Sequence, residues 1–437
     1  MKKMLKVVSL VMALMLTLTA CSGGNSAPSP STGGSDDEQI TLRFSWWGGD
    51  ERHEKTLEAI RLFEEKNPNI KIEAEYGGWQ GHQEKVTSQM VGNTAPDVLQ
   101  VNWNWLYIFS KDGNGFYDMS TLTEHLTLGN YDDVLINQTT INGKINAVPV
   151  GIGGKVFYFN ETAYEKAGAE IPTTFDELFE AADLFKANLG TDYYPLDLDQ
   201  YAAFLMTIYY LEQTYGKSFI GDDNKVSYSE QELEEGFNFY LSMVERGVVP
   251  SMETRGAAGN VPMDQTPSWI QGRYGATYEW DSAVAKFQAA LEGDQKLVTG
   301  EFLTGLGDHP SALTKISMAY SINKNTKHPE AAAKLIEFLV SDPEAVSILG
   351  TSRGVPANKA AIDVLEAEGT LKGLNYEGNV KASEFMGNAI SPYFEDSQLQ
   401  TLYRTIMEEI GYGQLTAAQG AEKLIREVNR IVGDLAK

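Results

Sequence analysis

Three times between Ile40 and Trp105 a strand-like run ends in tryptophan and a small or polar loop, and this repetition restricts the fold more than any other feature. The first stretch, ITLRFSWWGGDERH from Ile40 to His53, alternates Ile40, Leu42 and Phe44, the period of a strand with one buried face. Trp46 and Trp47 close that strand, and Gly48 and Gly49 permit a tight backbone. Asp50 is placed to cap a helix with the apolar stripe Leu57, Ile60 and Phe63. Residues 70–76 (IKIEAEY) repeat the pattern and end in Gly77-Gly78-Trp79-Gln80, and 97–101 (DVLQV) end in Asn102-Trp103-Asn104-Trp105. Strands alternating with helices build open α/β sheets, which bind ligands outside the carboxyl ends of their strands. Five of the seven tryptophans lie just after these three strands. A single tryptophan there is as readily a core residue, but five along one edge point to a ligand with apolar faces.

Length and charge narrow the partner. At 437 residues the chain exceeds what one hydrophobic core supports, so two lobes are expected. The formal charge of −25 repels polyanions, so no nucleic acid is expected, and an anionic ligand group would need local basic residues. The single cysteine, Cys21, follows Lys2, Lys3, Lys6 and an apolar run from Val7 to Leu18 that reads as a secretory leader. Leu18-Thr19-Ala20-Cys21 has the form of a bacterial lipobox, which makes residues 1–20 a signal peptide and Cys21 the lipidated N-terminus. Residues 21–38 have a linker composition and are expected to tether the folded part to the membrane. With its only thiol lipidated, the chain is expected to hold no disulfide, thiolate metal site or cysteine nucleophile.

Further along, residues 141–149 (INGKINAVP) carry an Asn-Gly turn, and 155–160 (KVFYFN) form a strand behind Gly151, Gly153 and Gly154. Phe116–Asp118 and Leu122–Leu128 read as a loop and a short helix. Pro172–Leu178 reads as a threonine-initiated helix with Asp176 and Glu177 in its first turn, and 201–215 and 230–246 are helical by spacing. Pro267–Trp280 (PSWIQGRYGATYEW) reads as a helix end, a turn at Gly272 and a strand that stops at Trp280. Residues 316–322 form another strand, 329–340 a helix, Ser341–Glu344 the cap of the next, and 399–436 one or two amphipathic helices.

The leader with its cysteine, SWWGG, PDVLQV, GKINAVP with FYFN, WIQGRYGATYEW, and SINKNTKHPEAAAKLIEFLVSDPEA with RGVP keep a fixed order along the chain. In these strings and their order the chain resembles the extracellular sugar-binding proteins of bacterial ABC importers, the family 1 solute-binding proteins. SWWGGDERH, AEYGGWQGH, PDVLQVNWNWLYIFSKDGNGFYD, NTKHP, RGVP, SPYFED and YGQ are similar to the oligogalacturonide-binding branch. The resemblance implies a two-lobed α/β fold of the periplasmic-binding-protein kind (type II), each lobe a mixed sheet flanked by helices, with hinge segments between. It places lobe one at 39–151 plus 315–362 and lobe two at 157–310 plus 375–437, with hinges near Gly151–Lys155 and Pro310–Thr314. It also implies an oligosaccharide ligand, pectin-derived oligogalacturonides foremost, permease subunits of an ABC importer as partners, and a place at the extracellular face of the cytoplasmic membrane.

A sugar ring has an apolar, slightly positive C–H face, and an indole offers a broad plate with a negative face. Trp47, Trp79, Trp105 and Trp280, with Tyr278 beside the last, are the expected platforms. Trp46 and Trp103 fall one residue off in the alternation and are expected in the core, and Trp269 suits either role. Gln80, Asn102, Asn104 and Glu279 could meet sugar hydroxyls. For a uronate, the candidate basic partners are Arg52, His53 and His82 at helix starts, Lys155 in the hinge strand, Arg273 and Arg353. Lys155 ranks first because it interrupts an apolar strand, although a lysine snorkelling at a strand end would look the same. The similar branch carries Met and Asn where this chain has Glu279 and Asp281, which keeps a neutral oligosaccharide open as the ligand.

Signals for catalysis are weak. Gly216-Lys217-Ser218 lacks the upstream glycine of a P-loop, where Leu211 stands, and Gly151-Ile152-Gly153 lacks the third glycine of a dinucleotide fingerprint. Asp112–Asp118 has Tyr117 where a calcium loop bends at glycine, and the five histidines show no metal spacing. No enzyme, cofactor or metal is therefore expected. A surface-anchored glycan-degrading enzyme, which needs only two placed carboxylates, and a receptor for peptides or another non-sugar solute remain as alternatives.

Overall fold

The computed structural model describes residues 39–436 except Gln80, Ala258 and Asn260, so the leader, Cys21, the tether and Gln80 lie outside the described residues. The three repeats become β1 (Ile40–Trp47), β2 (Ile70–Gly77) and β3 (Val98–Val101), parallel to one another with β1 in the middle. Helix α1 (Asp50–Lys66) follows β1 and buries Thr56, Ala59, Ile60 and Phe63, while Leu57 is only half-buried. Asp50 does not cap this helix. Gly49 holds the cap position with extended backbone, and Asp50 is the first helical residue, where its charge still faces the positive end of the dipole. Helix α2 (His82–Val91) follows β2, and the short helix α3 (Trp105–Phe109) follows β3.

The Asn-Gly turn forms as expected. β4 (Thr140–Ile141) and β5 (Lys144–Ile145) pair around Asn142 and Gly143, whose φ of 50° and 76° fit a tight hairpin turn. No helix spans Leu122–Leu128. Short 3-10 turns at Met119–Thr121 and Leu128–Asn130 stand there, the first held by the Asp118 carboxylate accepting from Ser120 N–H at 3.1 Å.

The remaining strands are β6 (Val148–Asn160), β7 (Ala276–Trp280), β8 (Leu297–Thr299), β9 (Thr314–Ile322) and β10 (Val355–Pro356). The main sheet runs β10-β6-β9-β3-β1-β2, and β7 and β8 pair with β6 off that path. Thus β6 serves two sets of neighbours. Its first half, up to Gly154 opposite Thr314, pairs with β9 and β10, and from Lys155 opposite Trp280 onward it pairs with β7 and β8. Two glycines of this segment, Gly151 and Gly154, answer to crowding. A Cβ on Gly151 would lie 2.6 Å from the Arg353 carbonyl oxygen, and one on Gly154 would collide with Ala382.

Capping boxes start the helices Phe175–Asn188 (Thr174 with Glu177) and Glu230–Glu245 (Ser229 with Glu232), and the Asp342 carboxylate caps Pro343–Leu349. The C-terminal stretch forms two helices, Ser397–Gly411 and Ala417–Leu435. Contacts hold Gln39–Lys437 as one compact unit.

Candidate functional site

Three tryptophans and a histidine meet at the carboxyl ends of β1–β3. Trp47 ends β1, Trp79 follows β2, Trp105 opens α3 and His82 opens α2. Trp79 stacks on Trp105 at 5.5 Å with 17° between planes, and the Trp47 ring lies 5.2 Å from both. Trp79 is 52 % exposed, whereas Trp47 and Trp105 are buried at 7 % and 1 %. Trp79 is therefore the open plate, and the other two are its pedestal. His82 lies 5.4 Å from Trp47 and is buried. Burial, with help from Lys85, lowers its pKa to about 4, so the imidazole is neutral at pH 7 and offers no cation to a carboxylate. His82 Nε2 and Asn104 Oδ1 are buried without a hydrogen-bond partner among the described residues. Asn102 contributes its carbonyl to Trp105 N–H at 2.9 Å.

The other tryptophans of the edge point away. Trp46 stacks on Tyr76 at 4.9 Å and donates its indole N–H to His53 Nδ1 at 3.1 Å, which places His53 in a second aromatic group. Trp103 is buried and donates to the Gln138 carbonyl at 3.0 Å. Trp269 is fully buried and donates to the Phe287 carbonyl at 3.0 Å, so it packs. Tyr278 is likewise interior, 4.7 Å from Phe157.

Most candidate cations are already engaged. Arg52 donates to the carbonyls of Trp47 (3.0 Å) and Ser352 (2.9 Å). Burial, with Arg353 nearby, lowers its pKa to about 10, and it stays charged at pH 7. Arg353 is buried, donates to Gln100 Oε1 at 2.9 Å and Thr56 Oγ1 at 2.8 Å, and braces the interior. Arg273 precedes β7, at the opposite end of that strand from Trp280. Lys155 is buried. Its ammonium meets Glu279 at 2.8 Å and the Tyr278 carbonyl at 3.4 Å, and sits 5.5 Å from the Trp280 ring centre.

Trp280 itself is half-buried and carries a second cation, Lys315, 4.5 Å from its ring centre and ion-paired with Glu395. Glu279 Oε1 also accepts the Trp280 backbone N–H at 2.7 Å. Asp281 is buried, bonded by Asn379 at 2.7 Å, and burial raises its pKa. Lys315 and Glu395 were not among the expected residues. A lone lysine at the start of an apolar strand, the signal that singled out Lys155, also marks Lys315, but nothing in the sequence joins it to Glu395.

The register brings the two groups to one end of the main sheet. Val101, the last residue of β3, lies opposite Ala319, so Thr314–Met318 of β9 run past the end of β3 beside Gly151–Gly154. The next residue of β6, Lys155, pairs with Trp280. Nearby, a cavity of about 630 Å³ is lined by Tyr107, Gln138 and Asn142 together with Ile220, Asp222 and Tyr393.

One spacing absent from the expectations above is Gly350-Thr351-Ser352-Arg353-Gly354, the G-x-S-x-G of a hydrolase nucleophile elbow. Here it follows the helix Pro343–Leu349 and leads into β10, the reverse of strand-to-helix, and the buried Ser352 hydroxyl has no hydrogen-bond partner among the described residues to act as base.

Residues 49–346 match the pattern of the bacterial extracellular solute-binding proteins. The chain belongs to that family. Among solved structures, this solute-binding protein is similar to a periplasmic oligogalacturonide binding protein from Yersinia enterocolitica. The two are 38 % identical, with a TM-score of 0.86 over 91 % of this chain and 100 % of that one. Against that protein in complex with saturated digalacturonic acid the TM-score is 0.75 at the same identity and coverage. A de novo designed cysteine esterase also aligns, 38 % identical with a TM-score of 0.87 over 92 % of this chain and 100 % of that one. It is an engineered protein, and the only cysteine here is Cys21. A maltooligosaccharide ABC transporter solute-binding lipoprotein from Streptococcus pneumoniae is 24 % identical over 370 residues, 81 % of this chain and 80 % of that one. The fold is accordingly the two-lobed α/β (type II) architecture of such proteins, with β6 as the strand shared by its two sheet segments.

Proposed function

We propose that this solute-binding protein captures an extracellular oligosaccharide between the Trp47–Trp79–Trp105 edge and the Trp280 group, and delivers it to the permease subunits of an ABC importer. The observation that carries the reading is the Trp79 plate, exposed over its aromatic pedestal near His82 Nε2 and Asn104 Oδ1, which have no hydrogen-bond partner among the described residues. A sugar ring supplies the C–H face that an indole attracts and the hydroxyls that buried polar atoms lack. Capture proceeds by hinge closure, because a ligand touching both lobes favours the state that brings them together. The hinges sit at Gly151–Lys155 and Pro310–Thr314, and the lobes are 39–151 plus 315–362 and 157–310 plus 375–437. The partner change in β6 between Gly154 and Lys155 supports this, as does Ala312, whose N–H and carbonyl bond Phe385 and Gly387 at 2.9 and 3.0 Å. The higher TM-score against one Yersinia structure than against its digalacturonate complex fits a fold whose lobes move.

Pectin-derived oligogalacturonides are the ligand class that the likeness to the Yersinia protein favours. A neutral oligosaccharide is the second reading, favoured by the pairing of Lys155 with Glu279. Lipid on Cys21 anchors the protein at the extracellular face of the membrane. A melting-shift screen against uronate and neutral oligosaccharides, with chromatography of the incubated sugars, tests the reading. A ligand-dependent rise without products is expected. Released products would replace the receptor with a glycan-degrading enzyme, and shifts with peptides alone would replace the ligand.

A further inference from the structure

We infer that Glu279 sets the specificity of the Trp280 subsite, restricting it to a sugar ring without a free carboxylate: a neutral ring or the methyl ester of a uronate. The inference rests on the proposed oligosaccharide receptor and concerns which ring that receptor accepts next to Trp280.

Both cations over the Trp280 ring already have a carboxylate. Lys155 meets Glu279 at 2.8 Å, and Lys315 pairs with Glu395. The two ammoniums and two carboxylates cancel, and Asp281 next to Trp280 adds no positive charge. The ammonium of Lys155 is the less accessible partner, with 3 % of its side chain exposed against 24 % for Glu279. At the Lys155–Glu279 pair a ligand therefore meets the carboxylate before the cation, while at the second pair Lys315 and Glu395 are both mostly buried, with 17 % and 13 % of their side chains exposed.

A uronate arriving at the Lys155–Glu279 pair has two options, both unfavourable. It can share the Lys155 ammonium with Glu279, which sets two carboxylates around one positive charge in a partly dry groove. Or it can displace Glu279, which breaks the ion pair and also the 2.7 Å bond from the Trp280 backbone N–H. An uncharged ring needs neither. It lays its C–H face on the indole while the ion pairs stay intact, and an ester carbonyl accepts hydrogen bonds without adding charge. Lys315 is already neutralised by Glu395, and the other candidate cations of lobe one offer no relief. Arg353 is buried against Gln100 and Thr56, Arg52 holds two carbonyls, and His82 is neutral at pH 7.

The test is calorimetry at low ionic strength with trigalacturonate and its fully methyl-esterified form, which share a skeleton and differ in charge. Wild type is expected to bind the ester at least tenfold more tightly, and Glu279→Gln, which frees the Lys155 ammonium, to lower that ratio at least tenfold. Equal or tighter binding of the free acid by wild type, or a ratio unmoved by Glu279→Gln, overturns the inference. The wild-type ratio requires no variant, and Glu279→Met provides a second substitution should the glutamine variant fold poorly. Where neither galacturonide binds, the same ratio is read between a neutral oligosaccharide that shifts melting and its uronate counterpart. Absence of binding by every oligosaccharide overturns the receptor reading itself, an outcome distinct from a wrong charge preference.

Discussion

Glu212 offers a test of how the segments beside the hinge are held. It lies on the helix Gln200–Tyr215, only 4 % exposed, and accepts the backbone N–H of Asn388. Its neighbour Gly387 donates to Ala312 in the proposed hinge at 3.0 Å. Burial raises the Glu212 pKa from 4.5 to about 7, with the Asn388 bond opposing. That difference makes the ionised carboxyl about 3 kcal/mol less favourable in the folded chain than in the unfolded one. Because the folded value is the higher one, the stabilisation is fully present below 4.5 and is lost as pH rises through about 7. Between pH 5 and pH 8, wild type should lose roughly 2 kcal/mol relative to Glu212→Gln, which keeps an acceptor for Asn388 and cannot ionise. Urea unfolding of both proteins at the two pH values reads the difference directly. Other shifted groups, such as Asp281 upward and Glu75 downward, are common to both proteins and cancel. Parallel pH dependence in the two proteins would refute the reasoning.

Three further outcomes follow from the geometry. Trp280→Ala should weaken oligosaccharide binding at least ~10-fold, about 1.4 kcal/mol, and an unchanged affinity in calorimetry would remove Trp280 from the site. Trp79→Ala should lower affinity while changing stability by less than about 1 kcal/mol, since half of that indole is already in water. Trp105→Ala, which empties a buried position, should cost about 3–5 kcal/mol in urea unfolding, and comparable stability losses for the two variants would contradict the plate-and-pedestal arrangement.

The strands of the first half-sheet were legible because two-residue periodicity, prolines and glycines act over short distances. β1, β2 and β3 fall within a residue or so of the expected spans, and Trp46 and Trp103 are buried as the alternation requires. What the sequence could not convey was which partner each charge finds. Lys155 looked free because its strand is apolar, but antiparallel pairing with β7 delivers Glu279 to it from 124 residues away. Arg353 stood among the candidate partners for a uronate, yet it reaches Gln100 and Thr56 inside the protein. Trp105 read as a plate, and the structure lays Trp79 over it, a stacking between two loops that no local pattern announces. Helix starts showed the same limit on a smaller scale. The threonines before Phe175 start their helix within the expected span, whereas the choice of Gly49 over Asp50 as cap depends on where β1 lets go.

The position of the Lys155–Glu279 pair ties ligand charge to lobe movement on the proposed reading. In the proposed hinge, β6 passes from one set of hydrogen-bond partners to the other between Gly154 and Lys155. Gly151, Gly153 and Gly154 carry no side chains to resist a twist there, and Lys155 is the first residue held by the second set. Its ammonium bonds Glu279 and the Tyr278 carbonyl, both on β7, so the pair moves with lobe two, whereas Lys315 reaches the same indole from β9 on the other side of the change. Closing or opening the groove therefore alters how two cations from different sheet segments share the face of Trp280. A ring laid on that indole would feel both, and a free carboxylate would pull them unequally, since one partner, Glu279, is bound to the indole's own backbone and the other, Glu395, is not. An uncharged ring leaves that balance to the lobes, which is the physical reason to expect closure to follow sugar shape at this subsite.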